Sequence, residues 1–148
     1  MLIRQALPED ADDLKILYFD YLTNYPPQEP QNMNKWRDII LKLYENENSY
    51  LLVAVEDNKA VSTVYLTIVT NLTHNLRPFG VIENVVTHID YRNRGYASAL
   101  LQRATEICND HNCYKVFLET GSKKESTIQF YRNNGFIPDL KRSCLKKL

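Results

Sequence analysis

Residues 92–98 of this chain read Arg92-Asn93-Arg94-Gly95-Tyr96-Ala97-Ser98, and they lie where a strand-like run gives way to a helix-like one. A helix N-terminus exposes backbone N–H groups that no carbonyl of its own turn satisfies, and it carries a partial positive charge. Such an end holds phosphate when the chain can approach closely. Gly95, one of only four glycines, removes the Cβ that would obstruct the approach, and Ala97 is the next smallest choice. Arg92 and Arg94 add charge-assisted donors and Ser98 a hydroxyl, so a diphosphate suits the set. The plainer reading is that Gly95 lets a loop turn and the arginines are solvated. Neither GxGxxG nor GxxxxGK[ST] is present. The strand-before, helix-after setting is the context that favours a phosphate cradle.

The elements that position this loop follow from pattern. "LIRQA" (2–6) reads as a strand. Pro8 and the acidic Glu9, Asp10, Asp12 and Asp13 mark a helix entry. Leu14, Leu17, Tyr18, Tyr21 and Leu22 continue it as a helical stripe. "PPQEP" (26–30) is a loop, and Trp36, Ile39, Ile40, Leu43 and Tyr44 form a second stripe. Residues 50–69 read as two strands around a tight turn at Asp57-Asn58. "GVIENVVTH" (80–88) is a Val/Ile-rich strand. Leu100, Leu101, Ala104, Ile107 and Cys108 line a helix over 94–109. "YKVFLET" (114–120) is a further strand. Ser122-x-x-Glu125 has the form of a capping box opening a helix through Arg132, with Gly135 closing it. A last strand is expected in "FIPDLKRSCLKKL". The order β-α-α-β-β-β-α-β-α-β predicts an α/β (mixed α+β) domain over residues 1–148. Its mixed, mostly antiparallel, twisted sheet is expected to have about six or seven strands with helices on both faces.

Lys plus Arg and Asp plus Glu both total 18, which argues against a nucleic-acid binder that works by basic excess. No apolar run approaches the roughly 20 residues of a membrane span, and the N-terminus lacks a signal-peptide core. The three cysteines, Cys108, Cys113 and Cys144, form no CxxC pair. They read as reduced thiols of a cytoplasmic protein, and with His111 they make no convincing metal set.

Arg92-x-x-Gly95-x-Ala97 resembles the Arg/Gln-x-x-Gly-x-Gly/Ala signature of the GNAT superfamily of N-acetyltransferases. "IENVVTHIDY" (82–91) is similar to that family's central strand, and "FYRNNGF" (130–136) to its late-helix motif. The element order matches over nearly the whole chain. The resemblance implies a GNAT fold with a splayed central strand. It also implies acetyl-CoA as co-substrate, an amine acceptor and no metal. It assigns the diphosphate to Arg92, Asn93, Arg94, Gly95, Tyr96, Ala97 and Ser98. It assigns the pantetheine arm and the polarised carbonyl to the peptides of Val85, Val86 and Thr87, and a further cofactor contact to Thr127.

An alkyl ammonium near pKa 10 must lose a proton before it attacks, so a base is useful. Glu83 is the candidate. By period-2 alternation it shares a side with Val81, Val85 and Thr87, where partial desolvation would raise its pKa. The alternative is an ion pair with a nearby lysine or arginine. Tyr131 is the candidate acid for the departing thiolate, because a phenol stays protonated at neutral pH. The alternative is a core aromatic among Phe130 and Phe136. Lys124 stands where relatives often carry asparagine. His88 reads as a second proton carrier or a lone surface histidine.

By analogy with relatives, the first two helices and the loop after the first flank the acceptor. Tyr18, Tyr21, Tyr25 and Trp36 supply aromatic walls there. "GVIENVV" is also similar to the central strand of sugar-phosphate N-acetyltransferases, though the stretch recurs in other relatives. The expected activity is direct acetyl transfer in a ternary complex to a primary amine of a small molecule. Alternatives are a peptide or protein acetyltransferase and a non-catalytic acyl-CoA-binding module. Relatives are often dimers, so a homodimer is also an expectation.

Overall fold

A computed structural model describes all 148 residues. Five strands form one sheet in the order β1 (Leu2–Gln5), β2 (Ser49–Glu56), β3 (Lys59–Val69), β4 (Phe79–Thr87) and β5 (Val116–Leu118). The first four are antiparallel neighbours, and β5 joins β4 in parallel. The β2–β3 hairpin turns through Asp57 and Asn58 at φ 49° and 61°. Two left-handed residues match the twist of a two-residue hairpin.

Both faces are covered. Against one lies α3 (Tyr96–Asp110), whose Leu100, Leu101, Ala104 and Ile107 pack on Leu52, Val64, Leu66 and Ile82. Against the other lie α1 (Ala11–Ile16) and α2 (Met33–Glu45), where Leu14, Leu17 and Ile40 pack on Leu51, Val53 and Val86. Helix α1 runs on into a π-helical turn over Leu17–Leu22, marked by the bond from Thr23 N–H to the Tyr18 carbonyl (3.0 Å). Asp10 fixes the entry to α1. It is 5% exposed and accepts a two-pronged bond from Arg4 (2.7 and 2.9 Å) and the Leu7 N–H (2.7 Å). Asp13 accepts the Ala60 N–H (2.8 Å), which ties α1 to β3.

Helix α4 (Glu125–Asn133) ends as its glycine predicts. Gly135 sits at φ 84°, its N–H donates to the Arg132 carbonyl, and the Phe136 N–H donates to Tyr131. This pair of hydrogen bonds is the Schellman closure that a left-handed residue permits.

Four expectations need correction. The α2 stripe is narrower than predicted, because Ile39 and Tyr44 are exposed while Met33, Trp36, Ile40 and Leu43 face the sheet. The Ser122 capping box does not form: Lys124 is the N-cap, and Ser122 Oγ instead accepts the Lys124 N–H (3.3 Å) and donates to Thr127 Oγ1 (3.1 Å). β5 has three residues instead of seven. No strand forms after Phe136, so the sheet has five strands where about six or seven were expected. Pro138 cannot donate to a ladder and Asp139 is left-handed (φ 59°), both unsuited to a strand.

Gly80 lets β4 lie close to α3 and β5. A Cβ there would meet Cys108 Sγ at 2.6 Å, Val116 Cγ2 at 3.0 Å and Leu66 Cδ1 at 3.2 Å. Gly80→Ala is therefore expected to destabilise the fold by about 1–3 kcal/mol. The check is a lower urea midpoint at unchanged m-value.

Candidate active site

β4 and β5 share only the pairs Gly80–Val116, Val81–Phe117 and Ile82–Leu118. Beyond Ile82 the two strands part, and the edge of β4 from Glu83 to Thr87 has no strand beside it on that flank. This is the expected splay.

At the same place β4 is bulged. Glu83 lies opposite Tyr65 and Val86 opposite Thr63, so Val64 alone faces Asn84 and Val85. Asn84 is left-handed, at φ 55°. The extra residue inverts the alternation beyond it. Glu83 therefore shares a face with Tyr65 and Val86, the face covered by α1 and α2, while Val85 packs on the α3 side. Thr87 pairs with Ser62, and their hydroxyls bond at 2.7 Å. The expectation that Glu83 lies on the side of Val85 and Thr87 is thus overturned. Its carboxylate is also exposed, so the desolvation foreseen for it is absent in the free protein. No lysine or arginine pairs with it: Glu83 takes part in no ion pair and no side-chain hydrogen bond.

Two carbonyls of this stretch are already engaged, that of Val86 on the β3 side. Val86 accepts from Ser62 Oγ (2.9 Å) and Thr87 from Arg92 Nε (3.2 Å). The Thr87 side chain is structural, spent on Ser62.

The loop after β4 supplies the donors. A 3₁₀ turn at Ile89–Tyr91 leads to Arg92, then Asn93 and Gly95 both turn left-handed (φ 59° and 85°). Gly95 caps α3 without a side chain, and the first bond back to it comes from Ala99. The N–H groups of Tyr96, Ala97 and Ser98 consequently have no protein partner. Nothing lies within 4 Å of where a Gly95 Cβ would stand, so the ground before these amides is open. Tyr96 contributes only its backbone. Its ring is 7% exposed, set edge-on to Tyr91, and its phenol is pushed up by burial and then by the neighbouring Glu56 carboxylate. Arg94 lies over the Tyr91 ring (5.4 Å) and Arg92 over the Tyr21 ring (6.0 Å). A cavity of about 520 Å³ opens beside Gly95, Ser98 and Ala99, with Asn133 and Asn134 at the end of α4 as its far wall.

Tyr131 projects from α4 onto the α3-side core, edge-on to Phe130 and Phe136. Burial raises its phenol above the ordinary value. Its hydroxyl has no partner in the protein, so it is packed at the ring and free at the tip. Thr127 Oγ1 already accepts from Ser122. Lys124 is exposed at the helix mouth. On the other face Tyr18 is half-buried near Thr63 and Tyr65, and desolvation pushes its phenol up to about 12. Trp36 packs near Tyr18 and Phe19, whereas Tyr25 is 91% exposed and walls nothing. No cluster of three His, Cys, Asp or Glu side chains could hold a metal.

Two features escaped the sequence reading. The left-handed Asn84 had a faint signal, since it is the one amide in a β-branched run and asparagine tolerates that conformation. The pairing of Tyr21 with His88 (3.1 Å) had none, because the two stand 67 positions apart.

A parted parallel edge, a bulge beside it and a helix mouth with bare amides thus lie in succession along β4 and the loop that follows it. The acetyltransferase (GNAT) family model matches residues 12–136. The chain belongs to that family. It is 33% identical to a provisionally named acetyltransferase from Agrobacterium tumefaciens str. C58, at a TM-score of 0.88, covering 99% of this chain and 100% of that one. It is 35% identical over 78 residues to glucosamine 6-phosphate N-acetyltransferase of Trypanosoma brucei brucei, covering 53% of this chain and 51% of that one. It is 28% identical over 102 residues to streptothricin acetyltransferase A of Bacillus subtilis (strain 168), covering 65% and 58% respectively. The chain thus spans about half the length of the curated relatives it matches.

Because Asn84 is left-handed, Asn84→Val is expected to destabilise by about 1–2 kcal/mol, and Asn84→Gly to be nearly neutral. Equal denaturant midpoints for the two variants would show that the bulge does not depend on that conformation.

Proposed function

We propose that this protein is an acetyl-CoA-dependent N-acetyltransferase that passes an acetyl group directly to a primary amine of a small molecule. The observation that carries the reading is the continuous run from the parted β4 edge to the three unpartnered amides of α3. A flexible arm fits along the first, and a diphosphate fits against the second.

The residues present suit that cofactor. The N–H groups of Tyr96, Ala97 and Ser98 would hold diphosphate oxygens, with Arg92 and Arg94 adding charge and Asn93 and Gly95 setting the turn. The peptides of Val85, Val86 and Thr87 would border the pantetheine arm and polarise the carbonyl under attack. Thr127 would border the same arm from α4. Acetyl-CoA supplies the activated acyl group.

Glu83 takes the proton of the attacking ammonium. It is exposed and unpaired in the free protein, and the bound substrates would cover it. Tyr131 gives a proton to the departing thiolate. Its phenol is raised by burial, so it stays protonated at and above neutral pH, as a general acid requires. The names of the curated relatives support a small acceptor over a peptide, since both describe acetylation of small molecules.

Acetyl-CoA at a hundred times its Kd should stabilise the fold by about 2.7 kcal/mol. No thermal shift at millimolar acetyl-CoA would overturn the reading. For the roles, Tyr131→Phe should lower kcat by about 10²-fold or more while leaving the acetyl-CoA Kd within a factor of two or so. Glu83→Gln should remove the ascending limb of the pH–rate profile. Because the Tyr131 phenol is raised, a descending limb below pH ~10 belongs to another group.

A further inference from the structure

Tyr21 and His88 form a pair that neither the cofactor loop nor the two candidate catalytic residues require. His88 follows β4 and caps the 3₁₀ turn, its Nδ1 accepting the Asp90 N–H (3.2 Å). A neutral imidazole has one N–H, so with Nδ1 occupied as an acceptor the hydrogen lies on Nε2. In that tautomer the Nε2 hydrogen is directed at Tyr21 Oη, 3.1 Å away, while the Asp90 carboxylate stands 3.8 Å from Nδ1, beyond hydrogen-bond reach. Tyr21 therefore accepts from His88, and its own phenolic hydrogen is unspent. No other protein group bonds to it. A hydroxyl that accepts one bond becomes a better donor for the next.

The place of this donor is informative. Tyr21 comes from the π-helical turn, a departure that often marks functional sites. It packs on the sheet face that also carries Val86 and, through Tyr65, Glu83. The Arg92 guanidinium stands over its ring. Arg92 spends Nε on the Thr87 carbonyl, and its two Nη groups have no partner in the protein. An O–H and a guanidinium with free Nη groups thus lie near one another at the C-terminal end of β4, the guanidinium carbon 6.0 Å from the Tyr21 ring centre. That pairing suits an anionic oxygen carried by a ligand.

We propose that Tyr21, oriented by His88, is a further substrate-binding residue that donates to a phosphate oxygen beside Arg92. The proposal rests on the acetyl-CoA reading above. The phosphate has two sources, the diphosphate of the cofactor or a phosphate on the amine acceptor.

Calorimetric titration of the full chain with CoA and with ADP, together with acceptor KM values, separates them. If the source is the cofactor, Tyr21→Phe weakens both CoA and ADP by about tenfold and leaves kcat nearly unchanged. If it is the acceptor, CoA and ADP bind as in wild type, and KM rises about tenfold only for amines that carry a phosphate. His88→Asn keeps an acceptor for the Asp90 N–H but cannot reach Tyr21. It should weaken the same ligand by a smaller factor, and it should add nothing on top of Tyr21→Phe. It also serves as the test if Tyr21→Phe does not fold. Wild-type affinities and KM values in both variants, with only a lowered melting temperature, would reduce the pair to a structural bond and overturn the proposal. Failure of wild type to bind CoA would instead overturn the acetyl-CoA reading, and this proposal with it.

Discussion

Strand β4 is paired along nearly its whole length by β3 and for only three residues by β5. Everything at the site depends on that inequality. Where both flanks are paired, Gly80 allows a close approach to Cys108 and Val116. Where the second flank is missing, a ladder of backbone groups would ordinarily be a liability, since unpaired edges invite other strands. Here it coincides with a bulge at Asn84 and leads straight to the mouth of α3. The edge is short, twisted off register and followed by bare amides, and on these features the proposed path of the cofactor rests.

The two packed faces hold this arrangement in place. The α3 side carries aliphatic residues of β2, β3 and β4, so the helix whose N-terminus bears the free amides is anchored by Leu100, Leu101 and Ala104, all but fully buried. The opposite side is set by α1 and α2, with the Arg4–Asp10 pair fixing where α1 begins. Asp10 is nearly fully buried and Arg4 partly exposed, and the carboxylate raises the guanidinium above its ordinary value. The two layers meet at the end of β4 through a run of rings, Tyr21, His88, Tyr91 and Tyr96. Arg92 and Arg94 lie over two of them. A chain of zero formal net charge thereby concentrates positive potential where the helix dipole already places it.

Much of this was legible in the amino-acid order. The Asp57-Asn58 hairpin, the Gly135 closure and the Arg92–Ser98 loop are local devices, decided by a few adjacent residues whose backbone preferences agree. The failures are equally physical. Ser122-x-x-Glu125 has the letters of a capping box, yet Ser122 Oγ found Thr127 and Lys124 instead, because short polar side chains have several backbone partners within reach. The terminal "FIPDLKRSCLKKL" has apolar residues but no pairing partner. Ile39 and Tyr44 lie at the margins of a stripe whose width depends on how deeply α2 settles on the sheet.

The sequence by itself determined the kind of site: a glycine and two arginines at a strand–helix junction, a carboxylate on the strand before it and a tyrosine ahead of a helix-closing glycine. Those are matters of residue type and short spacing. Only the tertiary structure decided how they face one another. One left-handed asparagine moved Glu83 to the face opposite Val85 and Thr87. The early end of β5 freed the edge, and the packing of a π-helical turn brought Tyr21 to His88. Strand alternation inverts with a single extra residue, and contacts between distant segments arise from burial of both faces of one sheet, so neither was written in any local stretch of the chain.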